Sequence, residues 1–575
     1  MTIVAPLNFT AEQRALIDAT EATYVEACPG AGKTQAIVQR FIERPVANHP
    51  RRGVALLSFT NAAVDEARAR CAAVPELLEV PNFVGTIDAF INRFIVGPVH
   101  VARTGRAPSF RDTWASVPGT RISVKGVAGA YALDWFEFTL DGDAELVYQR
   151  IPPDRRTGAR SLRRDQLDKI VSAASARWNA LVERGILDAT TSRQLMAEYL
   201  KDEGTKNRLH GFLDARFAEV IVDEVQDCTE EDVLLLEMIK EAGPRLICVG
   251  DPDQAIYGFR GSGTESLGRL LDRLAVGDRL DGNFRSSPAI CTAVGSLRQG
   301  NESDVAVGDA SGVTGSVAVA VFRRPTDVRS RVIEILEARG IPEDEVIVLA
   351  HAAATSRGCA GAGGSMRSTD SRFVSLAIAV HRFQSVASSP STRREALRQV
   401  QRLMCELGGG EESEADYLES RGLTERSLAE RCLRIATELQ PPFGGPPSRF
   451  KTELSELLRA HQVLTCNLSM LRTPSGDEWP VRPSQNESAL RHATIHGFKG
   501  LQQRAVALIL PKAQAGSQDD GIDQWLSDQP GESRRVLYVG ASRAQELLIL
   551  ATHESRKNEV VAKLTKDGVP HVVHA

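Results

Sequence analysis

The stretch ACPGAGKT, residues 27–34, joins a Gly-rich turn to a lysine and a threonine. It follows the short apolar run TYVEA (23–27) and opens a helical pattern from Lys33. In that context the N–H groups along the Pro-Gly-Ala-Gly turn, those of Gly30, Ala31 and Gly32 after Pro29, wrap phosphate oxygens. Lys33 reaches the β- and γ-phosphates, and Thr34 offers a hydroxyl to Mg²⁺. Ala27 stands where the phosphate-loop pattern has its first glycine, and Cys28 follows it. A second stretch, VIVDEVQD, ends an apolar strand on Asp223 and Glu224. Carboxylates at the carboxyl tip of a strand lie where open α/β sheets bind ligands. Asp223 would hold the metal, and Glu224 would orient or deprotonate the attacking water. Such an acid pair is common by itself; following a phosphate loop it is specific. A third stretch, LICVGDPDQAIYGFRG (246–261), starts as a buried strand and continues into Gln254, Tyr257, Phe259 and Arg260. A neutral amide just past a strand can sense a γ-phosphate or its water. Two aromatic rings with an arginine suit a different ligand, a stacked base.

These groups need a scaffold. At 575 residues the chain is too long for one core, and three or four domains are expected. Hydrophobic residues at 42% and charged residues at 25% are ordinary globular values. The net charge of −5 announces no nucleic acid globally, but binding needs only a local basic stripe. The nine cysteines form no Cys-x-x-Cys pair, which points to a reduced, cytoplasmic protein rather than a disulfide, zinc or iron–sulfur framework. No signal-peptide pattern and no run of 18 apolar residues is present, so no membrane partner is expected.

Short apolar runs alternate with helical patterns over the first hundred residues: TYVEA, GVALLSF (53–59) and FVGTI (83–87) each lead into a helix. This is the rhythm of a parallel α/β sheet. It lapses over 100–210 and returns with EVIVDE (219–224) and RLICVGD (245–251). A second α/β pattern runs through SVAVAVF (316–322) and DEVIVLA (344–350), breaks at a Gly/Ser-rich piece, and resumes with AVALILP (505–511). Two α/β domains follow, each interrupted by a mainly helical insertion.

Taken with their order, these segments resemble the UvrD/Rep/PcrA group of superfamily 1A DNA helicases. NFTAEQR (8–14) resembles the glutamine motif, with Gln13 as the reader of adenine. ACPGAGKTQ resembles motif I, LSFTNAAVDEARAR motif Ia, VGTIDAF motif Ib, VDEVQD motif II and VGDPDQAIYGFRGS motif III. LDGNFRSS resembles motif IV, ATIHGFKGLQ motif V and RRVLYVGASRA motif VI. The resemblance implies two RecA-like P-loop NTPase domains, 1A over 1–97 and 212–280 and 2A over 281–358 and 486–575. Insertion 1B would cover 98–211 and a reduced 2B 359–485. It implies ATP and Mg²⁺ in the cleft between the RecA-like domains. Lys33, Asp223, Glu224, Gln254, Arg285 and Arg543 would form the catalytic set, with both arginines on the γ-phosphate. Phe284 would stack on adenine, where the family usually has Tyr. Gln502 stands where a ribose-reaching Glu is common, Gln35 where an Arg packs on the base, and Asp88 where motif Ib has His.

On the DNA side the resemblance assigns Tyr257 and Phe259 as base platforms, Phe59 as a second base pocket, and Thr86 and His496 as phosphate contacts. The piece RIPPDRRTGARSLRRD (150–165) carries six arginines against two aspartates, suiting either backbone contact or a solvated loop. Relatives part the duplex with an aromatic-tipped hairpin after motif VI, and no aromatic follows Tyr538 here. The implied activity is an ATP-dependent 3′→5′ helicase or translocase on single-stranded or tailed DNA, with movement on single strands weighted over processive unwinding. The alternative is a DNA-sensing regulatory ATPase serving a partner nuclease or repair or defence complex, as in Gabija-type systems. A metabolic P-loop enzyme ranks third.

Overall fold

The structure, a computed structural model, describes residues 8–43, 52–72, 74–117, 120–151, 153–256, 264–300, 302–362, 372–385, 390–409, 414–440, 442, 445–460, 479, 489–512 and 520–574. The chain divides into two compact units. One comprises Met1–Ile95, Met196–Gly364 and Glu487–Ala575, and the other Val96–Leu195 with Ser365–Asn486.

The first unit holds two sheets of six strands, each wholly parallel. In the first sheet the strand order is Ala275–Val276, Thr23–Glu26, Arg245–Gly250, Phe217–Val222, Gly53–Ser58, Phe83–Thr86. The run GVALLS is buried at every position, as expected for a strand covered on both faces. Thr23–Glu26, Arg245–Gly250 and Phe217–Val222 are adjacent in the order. The segments that leave their carboxyl ends, 27–34, 251–256 and 223–227, therefore meet along one edge of the sheet.

The second sheet runs Arg491–Thr494, Val346–Ala350, Gln503–Ile509, Ala544–His553, Ser316–Phe322, His571–His574. Its two faces are sorted by strand alternation. Val317 and Val319 join one core with Ile290, Val294, Trp525 and Tyr538. Ala318 and Ala320 join the opposite core with Val332 and Leu336. The mixed α/β organisation with parallel sheets fits the RecA-like expectation.

The second unit is built from two segments, Val96–Leu195 and Ser365–Asn486. Residues 98–211 were expected to be mainly helical. The helices Gly97–Thr104 and Arg164–Glu183 are there, but so are short strand pairs: Ser109–Arg111 with Ile186–Asp188, Arg121–Ile122 with Tyr131–Ala132, and Phe136–Phe138 with Ala144–Leu146. Phe136 and Phe138 both point inward, and Phe138 stacks on Trp178 at 5.2 Å between centroids. In the second segment, helices Arg372–Gln384, Pro390–Gly409, Glu425–Glu438 and Pro447–Ala460 close over Phe373, Met404, Cys432 and Phe450.

The arginine-rich piece begins in the 3₁₀ turn Tyr148–Arg150, runs through the helix Pro153–Arg160 and leads into Arg164–Glu183. Arg150, Arg155 and Arg156 donate to nearby carbonyls, and Arg163 pairs with Asp165. Arg160 and Arg164 are exposed. Much of this charge thus has a local structural use.

Candidate functional site

The phosphate loop is clamped from two sides. Ala27 N donates to Gly250 O and Cys28 N to Leu280 O, both at 2.9 Å. Gly30 and Gly32 take φ of +76° and +69°, where only glycine is unstrained. The chain then enters the helix Lys33–Glu43. Gln13, inside a capping box with Thr10, donates its amide to Ala31 O at 2.8 Å and accepts Thr10 N at 3.0 Å. Phe284 N donates to Gly30 O at 3.0 Å, while the residue remains 41% exposed. Cys28 is fully buried, and burial pushes its thiol far up, so it behaves as a small apolar side chain.

Thr34 Oγ1 donates to Asp223 Oδ2 at 3.1 Å, which joins the loop to the carboxyl tip of Phe217–Val222. Lys33 is buried, with Nζ 3.5 Å from Glu224 Oε1. Burial disfavours its ammonium, but Glu224, Asp251 and Asp223 outweigh that and raise its pKa. Burial, together with the Glu224 charge, holds the Asp223 carboxyl well above the usual range. Against the burial of Glu224, the charges of Lys33, Lys499 and Arg543 hold its carboxyl low. The two buried acids share Lys33 as counter-charge and titrate as a pair. Glu224 also sits at φ 56°, ψ 41°, left-handed backbone that costs a non-glycine residue about 1–3 kcal/mol. A threonine hydroxyl beside an aspartate is a hard oxygen pair of the kind Mg²⁺ selects, so the residues present fit that ion.

Gln254 lies in the 3₁₀ turn Pro252–Gln254, just past Arg245–Gly250. Its Nε2 donates to Asp251 Oδ2 at 2.8 Å, and its Oε1 accepts Arg543 Nη2 at 2.9 Å. Arg543 also donates to Val539 O and Ser542 Oγ at 2.9 Å, which fixes its planar fork. Arg285 donates to Gln502 Oε1 at 2.8 Å and to Ser542 O at 3.1 Å. Burial, and the Arg285 charge beside it, lower the pKa of Arg543; burial does the same for Arg285. Two guanidinium charges disfavoured where they stand gain from an arriving anion.

The residues assigned to DNA fall at strand ends. Phe59 follows Gly53–Ser58 and is half-buried, and Thr86 ends the neighbouring strand, where its hydroxyl caps the next helix by accepting Ala89 N at 3.1 Å. His496 follows Arg491–Thr494, its Nε2 3.2 Å from Ile256 O and its ring 5.5 Å from that of His351. Tyr257 and Phe259 lie outside the described residues.

Residues 8–117 and 146–273 match the UvrD/REP helicase N-terminal domain. The chain resembles the UvrD/Rep helicases. It is 33% identical to DNA helicase II of Escherichia coli (strain K12) over 88 residues, 15% of this chain and 12% of that protein. It is also 33% identical over 126 residues to a protein of Exiguobacterium sibiricum named as one subunit of an ATP-dependent helicase/nuclease, covering 20% of this chain and 10% of that one. The match to ATP-dependent DNA helicase UvrD2 of Mycobacterium tuberculosis (strain ATCC 25618 / H37Rv) is longer, 25% over 597 residues, 92% of this chain and 76% of the relative. Among the described residues no helix is long and apolar enough to cross a membrane.

Several groups enter the site that residue spacing did not single out. Gln226 donates to Glu224 and accepts Asp251 N at 3.0 Å. Asn283 Oδ1 accepts the backbone N–H of Arg285 and Ser286. Lys499 bonds Asp227. Asp227 and Lys499 fall inside VDEVQD and HGFKG, so a search for opposite charges between motifs could have paired them.

Proposed function

We propose that the chain is an ATP-driven DNA motor that hydrolyses ATP between two RecA-like domains and moves 3′→5′ on single-stranded DNA. The domains follow the limits 1–97 with 212–280 and 281–358 with 486–575, and the insertions fill 98–211 and 359–485. The observation that carries this is the bond from Arg543 to Gln254. It ties a guanidinium on one α/β domain to a loop of the other that runs on into Tyr257 and Phe259. Occupancy of the phosphate site and the aromatic stretch are thereby linked through one short segment.

In this reading the loop 27–34 and Lys33 hold the β- and γ-phosphates. Thr34 and Asp223 would hold Mg²⁺, which would supply neutralisation of phosphate-oxygen charge. Glu224 accepts a proton from the water whose oxygen attacks the γ-phosphorus as the bond to ADP breaks. Arg285 and Arg543 stabilise charge on the transferred phosphoryl. Gln13 retains one donor and one acceptor position beyond its two protein bonds, the complement needed to read adenine. Phe284, an exposed residue, offers its ring to the base, and Gln502 its amide N–H groups to the ribose. Phe59, Thr86, Tyr257, Phe259 and His496 line the strand, stacking worth about 1–3 kcal/mol per base.

A second reading, a DNA-sensing ATPase that serves a partner nuclease and unwinds little, draws support from the relative whose name joins helicase and nuclease. Two assays divide the possibilities. Single-stranded DNA should raise ATP turnover by roughly tenfold or more as the cleft closes on the arginines; no response would return the chain to the metabolic class. Strand displacement on a 3′-tailed but not a 5′-tailed duplex is the outcome expected of the motor. Stimulated turnover without displacement or movement would select the sensor.

A further inference from the structure

Gln254 and Arg543 are backed by a run of buried polar groups. Arg298 Nη2 donates to Tyr538 Oη at 2.7 Å, and Tyr538 Oη donates to Asp251 Oδ2 at 3.1 Å. The same carboxylate oxygen accepts Gln254 Nε2 at 2.8 Å, and Gln254 Oε1 accepts Arg543 Nη2 at 2.9 Å. None of these five side chains is more than marginally accessible: Arg298 is 2% exposed, Tyr538 0%, Asp251 1%, Gln254 3% and Arg543 2%.

Each link has a direction. A side-chain amide can sit in two orientations, but turned over, Gln254 would face its NH₂ to Arg543 and its oxygen to Asp251, repulsive at both ends. Asp251 therefore selects the orientation that presents oxygen to Arg543. Asp251 is itself held twice: Oδ1 accepts Asp253 N at 3.1 Å, and Oδ2 accepts the Tyr538 hydroxyl. Burial, with the Asp251 charge adding to it, raises the Tyr538 pKa well above the ordinary value, so the phenol keeps its proton and stays a donor. Behind it Arg298 is fixed by Asp304 at 2.9 Å, and Asp304 by Arg279 at 2.6 Å.

We propose that Tyr538 is a positioning residue for ATP hydrolysis: through Asp251 it sets the Gln254 amide, and through that amide the Arg543 guanidinium, without touching the nucleotide. The proposal rests on the hydrolytic reading above. The hydroxyl alone performs this role, because the ring packs in the apolar core with Ile290, Val294 and Trp525.

The test is Tyr538→Phe, which keeps the ring. DNA-stimulated kcat for ATP should fall by roughly tenfold or more, with KM changed by less than about threefold. In a Gln254→Ala background the same substitution should add less than about twofold, because its target is gone. Unchanged kcat, or an equal loss in both backgrounds, would mean a packing role and overturn the proposal. A crystal structure of Tyr538→Phe gives a readout independent of turnover. The Gln254–Arg543 bond should be broken or the amide turned, and its retention unchanged would overturn the proposal even in a protein that hydrolyses nothing. Wild-type protein without ATPase activity would instead overturn the hydrolytic reading.

Discussion

Lys499 is seated on Asp227: its Nζ lies 2.8 Å and 2.7 Å from the two carboxylate oxygens and donates to Gln254 O at 3.0 Å. Asp227 follows the strand Phe217–Val222 of the first sheet, and Lys499 precedes Gln503–Ile509 of the second. Their side chains are 7% and 11% exposed, so the pair is a nearly dry link between the two α/β domains.

Lys499→Met should strand that carboxylate. Removing one partner of a buried pair costs about 3–5 kcal/mol, because the remaining carboxyl must stay unpaired or take up a proton. Urea unfolding followed by circular dichroism should show a loss of this order. Adding Asp227→Asn should recover most of it. A double variant as unstable as the single would show that packing, not charge, is responsible.

Asp227 also makes stability depend on pH. Burial pushes its carboxyl up to about 6 from an ordinary 3.8, despite Lys499. Folded protein therefore binds this proton more tightly than unfolded chain. The contribution is full below the unfolded value and is lost as pH rises through the folded one. Asp227→Asn does not titrate. Its stability relative to wild type should rise across that window, and a flat or falling difference would contradict the assignment.

Lys33→Ala should reduce ATP turnover by roughly a hundredfold or more while leaving single-stranded DNA binding measurable. Phosphate release and fluorescence anisotropy read the two quantities separately. Parallel loss of both would place Lys33 in the fold rather than in the phosphate site.

Arg543→Lys should not rescue function. The guanidinium donates to Val539 O, Gln254 Oε1 and Ser542 Oγ at once, and one ammonium on a flexible stem cannot reproduce that fork. Turnover should fall by roughly a thousandfold, with nucleotide affinity changed far less. Activity near wild type would remove Arg543 from the transition state.

Gly30→Ala tests the clamp on the phosphate loop. A Cβ there would lie 2.5 Å from Asn283 Oδ1 and 2.7 Å from Arg285 Cβ, at a φ of +76°. The loop and the 283–285 turn must separate, so nucleotide affinity should drop measurably in a fluorescent-ATP titration. Unchanged affinity would mean that this turn yields freely.

Much of the scaffold was legible because the strands carry continuous apolar runs and the loops after them carry unusual residue types. The parallel α/β class was legible from those runs, whereas the order that sets Arg245–Gly250 between Thr23–Glu26 and Phe217–Val222 is non-sequential and was not. The bonds that back Gln254 were not legible. Tyr538 lies 287 positions from Asp251, which it bonds, and neither a tyrosine nor an aspartate in such a run declares its partner; Arg543 was expected in the same site as Gln254, but not bonded to it. The strands Arg121–Ile122 and Phe136–Phe138 were missed because two or three residues are too few to show a period. The arginines at 150–156 looked available for nucleic acid, yet Arg150, Arg155 and Arg156 donate to carbonyls beside them.

The left-handed backbone at Glu224 sets evolution and engineering at odds. Glycine would relax that residue, yet it would delete the carboxylate beside Lys33 and take from that buried ammonium its nearest anionic partner. An engineer who loosens the chain there should win no heat tolerance, because the strain released is no larger than the cost of stranding the lysine, and should lose turnover as well.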